Sequence, residues 1–309
     1  MKTEHANGLV LRVTGHELWV DVDGEMVVCL LRGRFRQKGQ NLHVVAGDRV
    51  QIYTHGSAGG PAAIEGLLPR KSWLSRHVGG RHESERVIVA NVDLLVLVAS
   101  LWSPRLSHRF VDRVLVSAER GFTKAVICLN KIDKMKSGQD VEAFVSLYEG
   151  IGYPVVRTSA KTGEGIERVE ALLQGGVYAF VGQSGVGKSS LLNRIDPSLE
   201  LKVRDVARKT GRGRHTTSYS QLYPIKGGFM VDTPGMQTFG FPGTDKGELS
   251  ACFPEFREFE SECHYQSCTH SHEPKCAVKK ALENSRIAPS RFVSYEDMLA
   301  EIEARTKRR

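Results

Sequence analysis

Apolar and polar positions alternate over the first 68 residues, in short runs that are separated by turn residues. Asp23-Gly24 and Gly47-Asp48 supply the turn chemistry. Five strands in this length are typical of a small closed barrel of the OB type, which often binds oligonucleotides, although an SH3-like or purely structural β module also fits. The predicted strands cover residues 9–13, 18–22, 26–31, 49–53 and 62–67.

Continuous apolar runs replace this alternation after Pro69, and stretches with helical spacing lie between them. Such runs are typical of strands that are buried on both faces. We therefore predict an α/β domain with a mostly parallel sheet and helices on both faces. Each run ends in a polar motif, at the strand end where open α/β sheets bind their ligands. The runs cover residues 92–99, 124–129, 154–157, 177–181 and 229–231.

The polar motif after the run at 177–181 matches the P-loop pattern G-x-x-x-x-G-K-[ST] at every fixed position. Helical apolar spacing follows over residues 189–195, so strand, glycine loop and helix stand in the order that the motif requires. Backbone N–H groups of such a loop bind phosphate oxygens, Lys188 reaches the outer phosphates, and the Ser189 hydroxyl can ligate Mg²⁺. The predicted phosphate-binding residues are Gly182, Gln183, Ser184, Gly185, Val186, Gly187, Lys188, Ser189 and Ser190.

Two further strand ends carry motifs that fit a guanine base, N-K-I-D and S-A-K. An ionised Asp133 only accepts hydrogen bonds, and it can take two donors side by side, which suits guanine and not adenine. Asn130 would join the base to the neighbouring loops, while the Lys131 stem covers the base. This pattern favours GTP over ATP, and so argues against a P-loop kinase or ATPase. The predicted base-binding residues are Asn130, Lys131, Ile132, Asp133, Ser159, Ala160 and Lys161.

The sequence D-T-P-G follows the apolar run at 229–231 and places the Asp232 carboxylate at a strand tip, where it can hold Mg²⁺ through water. The Gly235 N–H can then contact a γ-phosphate. Between the P-loop and this motif lies a basic segment that contains two candidate Mg²⁺ ligands. Either Thr216 or Thr217 could close on the ion, and the sequence does not choose between them.

Met236 stands directly after D-T-P-G, where Ras-like enzymes have a glutamine that orients the attacking water. A thioether cannot position water, so we predict slow intrinsic hydrolysis. His215, beside the two threonines, is the candidate within the chain for this catalytic role. The alternative is that His215 contacts RNA phosphate.

The formal net charge of +8 and the isoelectric point near 9.2 indicate a polyanionic partner, although basicity alone does not separate RNA, DNA and an acidic membrane surface. No apolar run approaches the roughly 20 residues that span a bilayer, and residues 1–7 are polar, so we expect a cytosolic protein with no membrane association. Four basic side chains in the connection after the third strand favour RNA, with a solvated charged loop as the alternative. They are Arg32, Arg34, Arg36 and Lys38.

Six cysteines in a cytosolic chain argue against disulfides, and three of them stand in the pattern C-x4-C-x-H-x5-C. Three thiolates and an imidazole are the ligand set of a closed structural Zn²⁺ site, without an open position for catalysis. Cys252, His264 and His272 lie close enough in sequence to substitute for a ligand. The predicted zinc ligands are Cys263, Cys268, His270 and Cys276.

The remaining two cysteines, Cys29 and Cys128, lie inside apolar strands, and we expect them in the core. Residues 294–305 have the apolar spacing of a helix, with Ser294 and Asp297 at its start.

The order of these motifs is the reverse of that in an ordinary small GTPase, because the guanine motifs precede the phosphate motifs. We therefore predict a circularly permuted chain, in which the D-T-P-G strand leads directly into the C-terminal segment. Together with the N-terminal barrel and the Cys/His pattern, with Thr269-His270 and Glu273-Pro274 beside it, this order resembles the RsgA (YjeQ/YloQ) family of circularly permuted GTPases. The resemblance covers nearly the whole chain, with Ser218 where the family often has threonine.

The resemblance implies a monomeric GTPase that binds the small ribosomal subunit and couples GTP hydrolysis to its late maturation or release. It implies that the barrel and the zinc domain bind rRNA, and that Mg²⁺ accompanies GTP or GDP. We expect an OB-like barrel over residues 1–68, the circularly permuted P-loop GTPase domain over 69–241 and a helical zinc-binding domain over 242–309. The alternative is an RNA-binding assembly scaffold with a vestigial nucleotide site, although such a protein would be expected to have lost Lys188 or Asp232.

Overall fold

The computed structural model describes residues 4–15, 17–31, 43–54, 62–78, 84–102, 104, 106–135, 139–201, 220–232 and 245–306 of the chain. These residues form thirteen strands and eight α-helices. The strands are β1 Glu4–Thr14, β2 Glu17–Val22, β3 Glu25–Leu31, β4 Arg49–Thr54, β5 Ala62–Leu67, β6 Trp73–Val78, β7 Ser84–Ala90, β8 Leu94–Ala99, β9 Ala125–Leu129, β10 Val155–Arg157, β11 Gly176–Val181, β12 Gln221–Ile225 and β13 Gly228–Asp232. The helices are α1 His108–Arg120, α2 Gln139–Gly150, α3 Ile166–Glu170, α4 Lys188–Ile195, α5 Lys246–Ala251, α6 Pro254–Glu260, α7 Ala277–Glu283 and α8 Pro289–Thr306.

The N-terminal strands form a closed five-stranded barrel in the order β1-β2-β3-β5-β4, and pairing of β1 with β4 completes it. β3 and β5 run parallel, with Cys29 opposite Ala62, while the other pairs are antiparallel. Side chains that alternate along the strands, such as Leu18, Val20 and Ile52, fill the interior. The predicted barrel is therefore confirmed, and its first strand begins at Glu4, earlier than the apolar pattern indicates.

The central sheet is parallel over β10-β9-β8-β11-β13, and β12 is added to its edge in the antiparallel direction. Apolar clusters cover both faces: α1 and α2 contribute to one, and α3 and α4 to the other. The predicted mostly parallel sheet is confirmed. Arg12 of β1 pairs with Gln221 of β12, so the barrel and the central sheet share one continuous set of strands.

The β6–β7 hairpin lies outside the central sheet and was not predicted. Its alternation is broken by a register shift between Leu74 and Ser75, and charged residues interrupt its apolar positions. Backbone hydrogen bonds attach the hairpin to both neighbours, because Trp73 N donates to Gly121 O and Ala90 N donates to Ala46 O. The hairpin thus connects the C-terminal end of α1 with the segment that precedes β4 of the barrel.

The C-terminal helices enclose an aromatic cluster that includes Phe253, Phe256 and Tyr295. The prediction that the last helix starts at Ser294 is wrong, because α8 begins at Pro289. Proline is favoured in the first turn of a helix, where its missing N–H would have no partner. Ser294 is instead buried in the middle of this helix.

Among the described helices, none combines the length and the apolar character that a membrane span requires.

Candidate nucleotide-binding site and metal cluster

The predicted motifs begin where strands of the central sheet end. N-K-I-D follows β9, S-A-K follows β10 after one residue, the P-loop follows β11, and Asp232 closes β13. These four strands are parallel, so their carboxyl ends meet at one edge of the sheet. The fold therefore brings motifs that lie about a hundred residues apart in sequence to a single edge.

Lys188 is held over the P-loop by the loop's own backbone. Its Nζ donates to Gly182 O at 2.5 Å and to Gln183 O at 2.9 Å. The side chain is buried, and burial lowers the pKa of the ammonium to about 8. A cation that is partly desolvated and that contacts only neutral carbonyls among the described residues is ready to bind a phosphate anion.

Glycine is required at two positions of this loop. Gly187 has a φ of 100°, and a Cβ at this position would stand 2.4 Å from Asn130 Nδ2. A Cβ on Gly182 would stand 2.2 Å from Val98 O of β8. The loop thus packs directly against the ends of the neighbouring strands, which no larger residue would allow.

Asn130 connects the P-loop with the two guanine motifs. Its side chain is fully buried, and its Nδ2 donates to Val186 O at 2.9 Å. Its Oδ1 accepts from Ala160 N at 3.0 Å and from Thr158 Oγ1 at 3.4 Å. One side-chain amide therefore holds three segments of the site in a fixed arrangement.

Asp133 is exposed at this edge, and its Oδ1 accepts from Ser159 Oγ at 2.6 Å. Ser159 itself is fully buried, so it orients the carboxylate from below. Lys131 has a φ of 69°, and its Nζ donates to Gly185 O at 2.6 Å. The Lys131 stem thus spans the gap between N-K-I-D and the P-loop. The pKa of this lysine is lowered, mainly by burial and to a smaller extent by the positive charge of Lys134.

The structure adds two residues that sequence reasoning missed. Thr158 is fully buried between Asn130 Oδ1 and Cys128 Sγ, and it stands directly before S-A-K, which was the available signal. Arg194 of α4 donates to Ala160 O at 3.1 Å and to Lys161 O at 3.0 Å. It ties the P-loop helix to the S-A-K loop, and no sequence motif marks it.

The described residues place Ser189 and Ser190 in the first turn of α4, with Ser189 buried. Ile132 begins a short 3-10 turn, and its N–H donates to Thr158 O. Asp232 ends β13, and its side chain lies outside the described part of the structure. Several other predicted positions also lie outside the described residues: Arg32, Arg34, Arg36, Lys38, His215, Thr216, Thr217, Gly235 and Met236.

The predicted cysteine and histidine ligands form a compact cluster in the C-terminal part. One ligand atom from each of Cys263, Cys268, His270 and Cys276 lies within 4.8 Å of all the others. His270 Nδ1 is 3.3 Å from Cys276 Sγ and 3.7 Å from Cys263 Sγ, and the two sulfurs are 4.0 Å apart. Tetrahedral sites with bond lengths of about 2.0–2.3 Å place ligand atoms roughly 3.3–3.8 Å apart. The cluster could therefore hold a metal ion.

Residues around the cluster orient His270 for metal binding. Its Nε2 lies 2.9 Å from Ser250 Oγ, and that hydroxyl in turn contacts the Glu260 carboxylate, so Nδ1 faces the thiols. Burial raises the pKa of the Cys268 thiol to about 12 and also raises that of Cys276. Such thiols ionise near neutral pH only when a cation neutralises them.

Cys252, His264 and His272 are not members of this cluster. The Cys252 sulfur lies 3.4 Å from Glu248 O, and burial raises the pKa of this thiol to about 12. Cys29 and Cys128 are fully buried in strands, as predicted.

Residues 67–242 match the family model described as RsgA GTPase. The chain belongs to the RsgA GTPase family. It is 38% identical over 304 residues to a Bacteroides fragilis protein named small ribosomal subunit biogenesis GTPase RsgA, a match that covers 96% of this chain and 97% of the relative. A Thermotoga maritima protein of the same name is 41% identical over 289 residues, and the match covers 92% of each chain.

Solved structures of RsgA relatives share this architecture. The crystal structure of YjeQ from Thermotoga maritima superposes with a TM-score of 0.79 at 36% identity and covers 97% of this chain and 99% of its own. The structure of YloQ, described as a circularly permuted GTPase, superposes with a TM-score of 0.75 at 29% identity and covers 98% of this chain and 96% of its own. The predicted family and fold class, including the circular permutation, are confirmed.

Proposed function

We propose that this protein is a GTPase that binds the small ribosomal subunit and couples GTP hydrolysis to its late maturation or release. The observation that carries the proposal is the buried Asn130 side chain, which hydrogen-bonds the P-loop through Val186 O and the S-A-K loop through Ala160 N. A P-loop that binds ATP does not require a side chain that connects it with a guanine-binding loop. The name of the Bacteroides fragilis and Thermotoga maritima relatives supports the small subunit as the partner.

Base selection rests on the Asp133 carboxylate. Its second oxygen and its exposed position leave room for the two donors of a guanine edge, while Ser159 Oγ holds the first oxygen at 2.6 Å. Adenine presents one donor and one acceptor there, so it would set an acceptor against the carboxylate. The Lys131 stem, held to Gly185 O, covers one face of the base.

Phosphate binding rests on the P-loop backbone and on Lys188. The ammonium exchanges its two carbonyl contacts for phosphate oxygens, which gives a charge-assisted pair in a largely buried place. The residues that would hold Mg²⁺ are Ser189, Asp232 and one of Thr216 and Thr217. When bound, Mg²⁺ neutralises charge on the β- and γ-phosphates.

Water activation is the step for which the sequence lacks the usual residue, because Met236 follows D-T-P-G. Intrinsic turnover is therefore slow, on the order of the roughly 10⁻⁴ s⁻¹ typical of unstimulated Ras. His215 supplies the missing hydrogen bond to water once the subunit is bound. His215→Ala should abolish subunit-stimulated turnover while it spares GTP affinity and subunit binding. Loss of binding with residual stimulation at saturating subunit would instead assign this histidine to RNA phosphate.

The metal of the C-terminal cluster is one structural zinc ion, held by Cys263, Cys268, His270 and Cys276. Three sulfurs and one imidazole nitrogen suit zinc and leave no open coordination position. Zinc held by these four residues would fix the fold of the loop between α6 and α7. The zinc-binding C-terminal part and the N-terminal barrel are the proposed rRNA-binding regions. We further propose that the protein acts as a monomer. Its proposed location is the cytoplasm, where ribosomal subunits assemble.

The deciding experiment is GTP turnover by the purified protein with and without purified small ribosomal subunits. We expect slow hydrolysis alone and a large stimulation by small subunits, with no comparable stimulation by large subunits. Competition with ATP separates the GTPase from a P-loop kinase or ATPase. Subunit binding without nucleotide turnover, in the wild type and in Lys188→Ala alike, would favour an RNA-binding scaffold instead.

A further inference from the structure

Phe122 occupies a backbone position that is normally glycine. It follows α1, and the bonds from Phe122 N to Glu119 O and from Thr123 N to Ala118 O form a Schellman motif that ends the helix. In this motif the residue at the Phe122 position takes a left-handed conformation, and its φ is 51°. A bulky side chain is disfavoured there. The helix end itself therefore does not explain a phenylalanine at this position.

Phe122 is also 72% exposed, the largest exposure among the large apolar residues that the structure describes. It packs edge-on against Trp73 with ring centroids 5.5 Å apart and an interplanar angle of 67°. The backbones beneath the two rings are joined, because Trp73 N donates to Gly121 O at 2.8 Å and Thr123 Oγ1 donates to Trp73 O at 3.1 Å. The pair is thus a rigid aromatic surface with one ring largely in solvent.

Two exposed lysines lie near this pair in sequence. Lys71 lies two residues before Trp73 and Lys124 two residues after Phe122, and both lysines are exposed. The other large apolar side chains that are exposed in the described structure belong to other segments. A single protruding ring with two exposed lysines close by in sequence lacks the contiguous apolar area of a protein interface, but it fits a base together with its phosphates.

We propose that Phe122, supported by Trp73 and with the exposed Lys71 and Lys124 close by in sequence, is a stacking platform for an unpaired base of single-stranded RNA. The inference rests on the proposed function, since it gives that function a specific contact with RNA. The platform lies beside the amino end of β9, and the nucleotide motifs lie at its carboxyl end. It can therefore bind RNA without touching the GTP site.

The test replaces Phe122 by glycine, which removes the ring and relieves the left-handed backbone. Binding is measured by fluorescence anisotropy with a labelled single-stranded RNA of about 12 nucleotides, a length within the usual site sizes. Purified small subunits serve as the second ligand. We expect the melting temperature of Phe122→Gly to be unchanged or higher, while affinity for both ligands falls between about fivefold and 150-fold, the range for loss of one stacked base. Equal affinity of wild type and variant for the oligonucleotide would overturn the platform.

Two further variants sharpen the result. Phe122→Tyr keeps a stacking ring and should bind as the wild type does, whereas Val293→Ala removes another exposed apolar side chain and should change nothing. Loss of subunit binding with intact oligonucleotide binding would overturn the proposal in favour of a ribosomal protein as the contact. Basal GTP turnover should be the same in all variants. If the wild type hydrolyses GTP but binds neither the oligonucleotide nor the small subunit, both the platform and the proposed subunit partner are refuted. If small subunits stimulate GTP turnover by Phe122→Gly as strongly as that of the wild type, only the platform is refuted.

Discussion

Arg291 of α8 is a fully buried cation that joins two parts of the chain. Its Nη1 donates to Asp112 Oδ1 of α1 at 2.7 Å, and its Nε and Nη2 donate to the Glu255 carboxylate of α6 at 2.7 and 3.2 Å. Burial lowers the pKa of the guanidinium, but Asp112 and Glu255 outweigh this and raise it. Tyr148 of α2 also donates to Asp112 Oδ1.

We predict a large loss of stability for Arg291→Met. Methionine keeps the contact with the Phe253 ring, which lies 4.6 Å from the guanidinium carbon, but it leaves two carboxylates with no partner cation among the residues that the structure describes. Breaking a buried pair in this way costs about 3–5 kcal/mol, because the remaining charge stays desolvated. A typical domain has an unfolding free energy of only about 5–15 kcal/mol. The C-terminal helices should therefore separate from α1 well before the rest of the molecule unfolds.

Urea unfolding followed by two probes measures this effect. The three tryptophans, at positions 19, 73 and 102, report on the barrel and the central domain, while far-UV circular dichroism also reports the C-terminal helices. In Arg291→Met the circular dichroism transition should move to lower urea than the fluorescence transition. Adding Asp112→Asn to this variant removes one uncompensated charge and should restore part of the loss.

Arg109 provides the matched control, because it pairs with Asp297 and Glu301 of the same helix α8 but is about half exposed. Exposed pairs contribute about 0–1 kcal/mol, so Arg109→Met should be close to wild type. If Arg291→Met loses less than about 1 kcal/mol, the buried network does not hold α8 in place and the reasoning fails.

Further predictions concern the two sites. Asp133→Asn should weaken GTP and favour xanthosine triphosphate, whose 2-position carbonyl needs a donor; unchanged GTP affinity in equilibrium binding would remove Asp133 from the guanine site. Because burial lowers the pKa of Lys188 to about 8, the lysine loses its charge above that pH, and the dissociation constant for GTP should rise by up to about tenfold per pH unit; a flat profile would contradict this. Chelation or Cys268→Ala should unfold the C-terminal part and abolish subunit binding with little change in GTP affinity, whereas Cys252→Ala should keep one zinc per chain in metal analysis.

Much of the fold was predictable because its strands follow simple periods. The barrel strands alternate with period two, and those of the central sheet are continuous apolar runs, so β5, β9 and β11 were placed within a residue of their observed bounds. The candidate site motifs were recognisable because their chemistry requires fixed spacings. Glycine, lysine and carboxylate groups must stand at fixed spacings when a strand ends at a phosphate or a base.

The features that the sequence did not indicate depend on contacts between distant segments. Nothing local marks Arg291 as buried, because its partners Asp112 and Glu255 lie 179 and 36 residues away. Ser294 is a residue type that often caps helices, but α8 begins before it, at Pro289. The turn that precedes Ser294 is helical because it packs into the aromatic cluster of the C-terminal part. Thr158 and Arg194 acquire their roles only when three loops meet at one edge of the sheet.

The permuted order makes the C-terminal part a direct continuation of the proposed phosphate site. β13 ends at Asp232, a proposed site residue, and α5 begins at Lys246, so a connection of thirteen residues joins this strand to the C-terminal helices. α1 provides a second route, because it follows β8 from the same edge and its Arg120 pairs with Glu248 of α5 at 3.2 Å. α1 also packs against α8 through the Arg291 network. If a change at the bound phosphates moves either connection, we expect the contacts of α1 with α5 and α8 to change with it. For this reason the C-terminal part is the region of the chain that we expect to respond to the nucleotide.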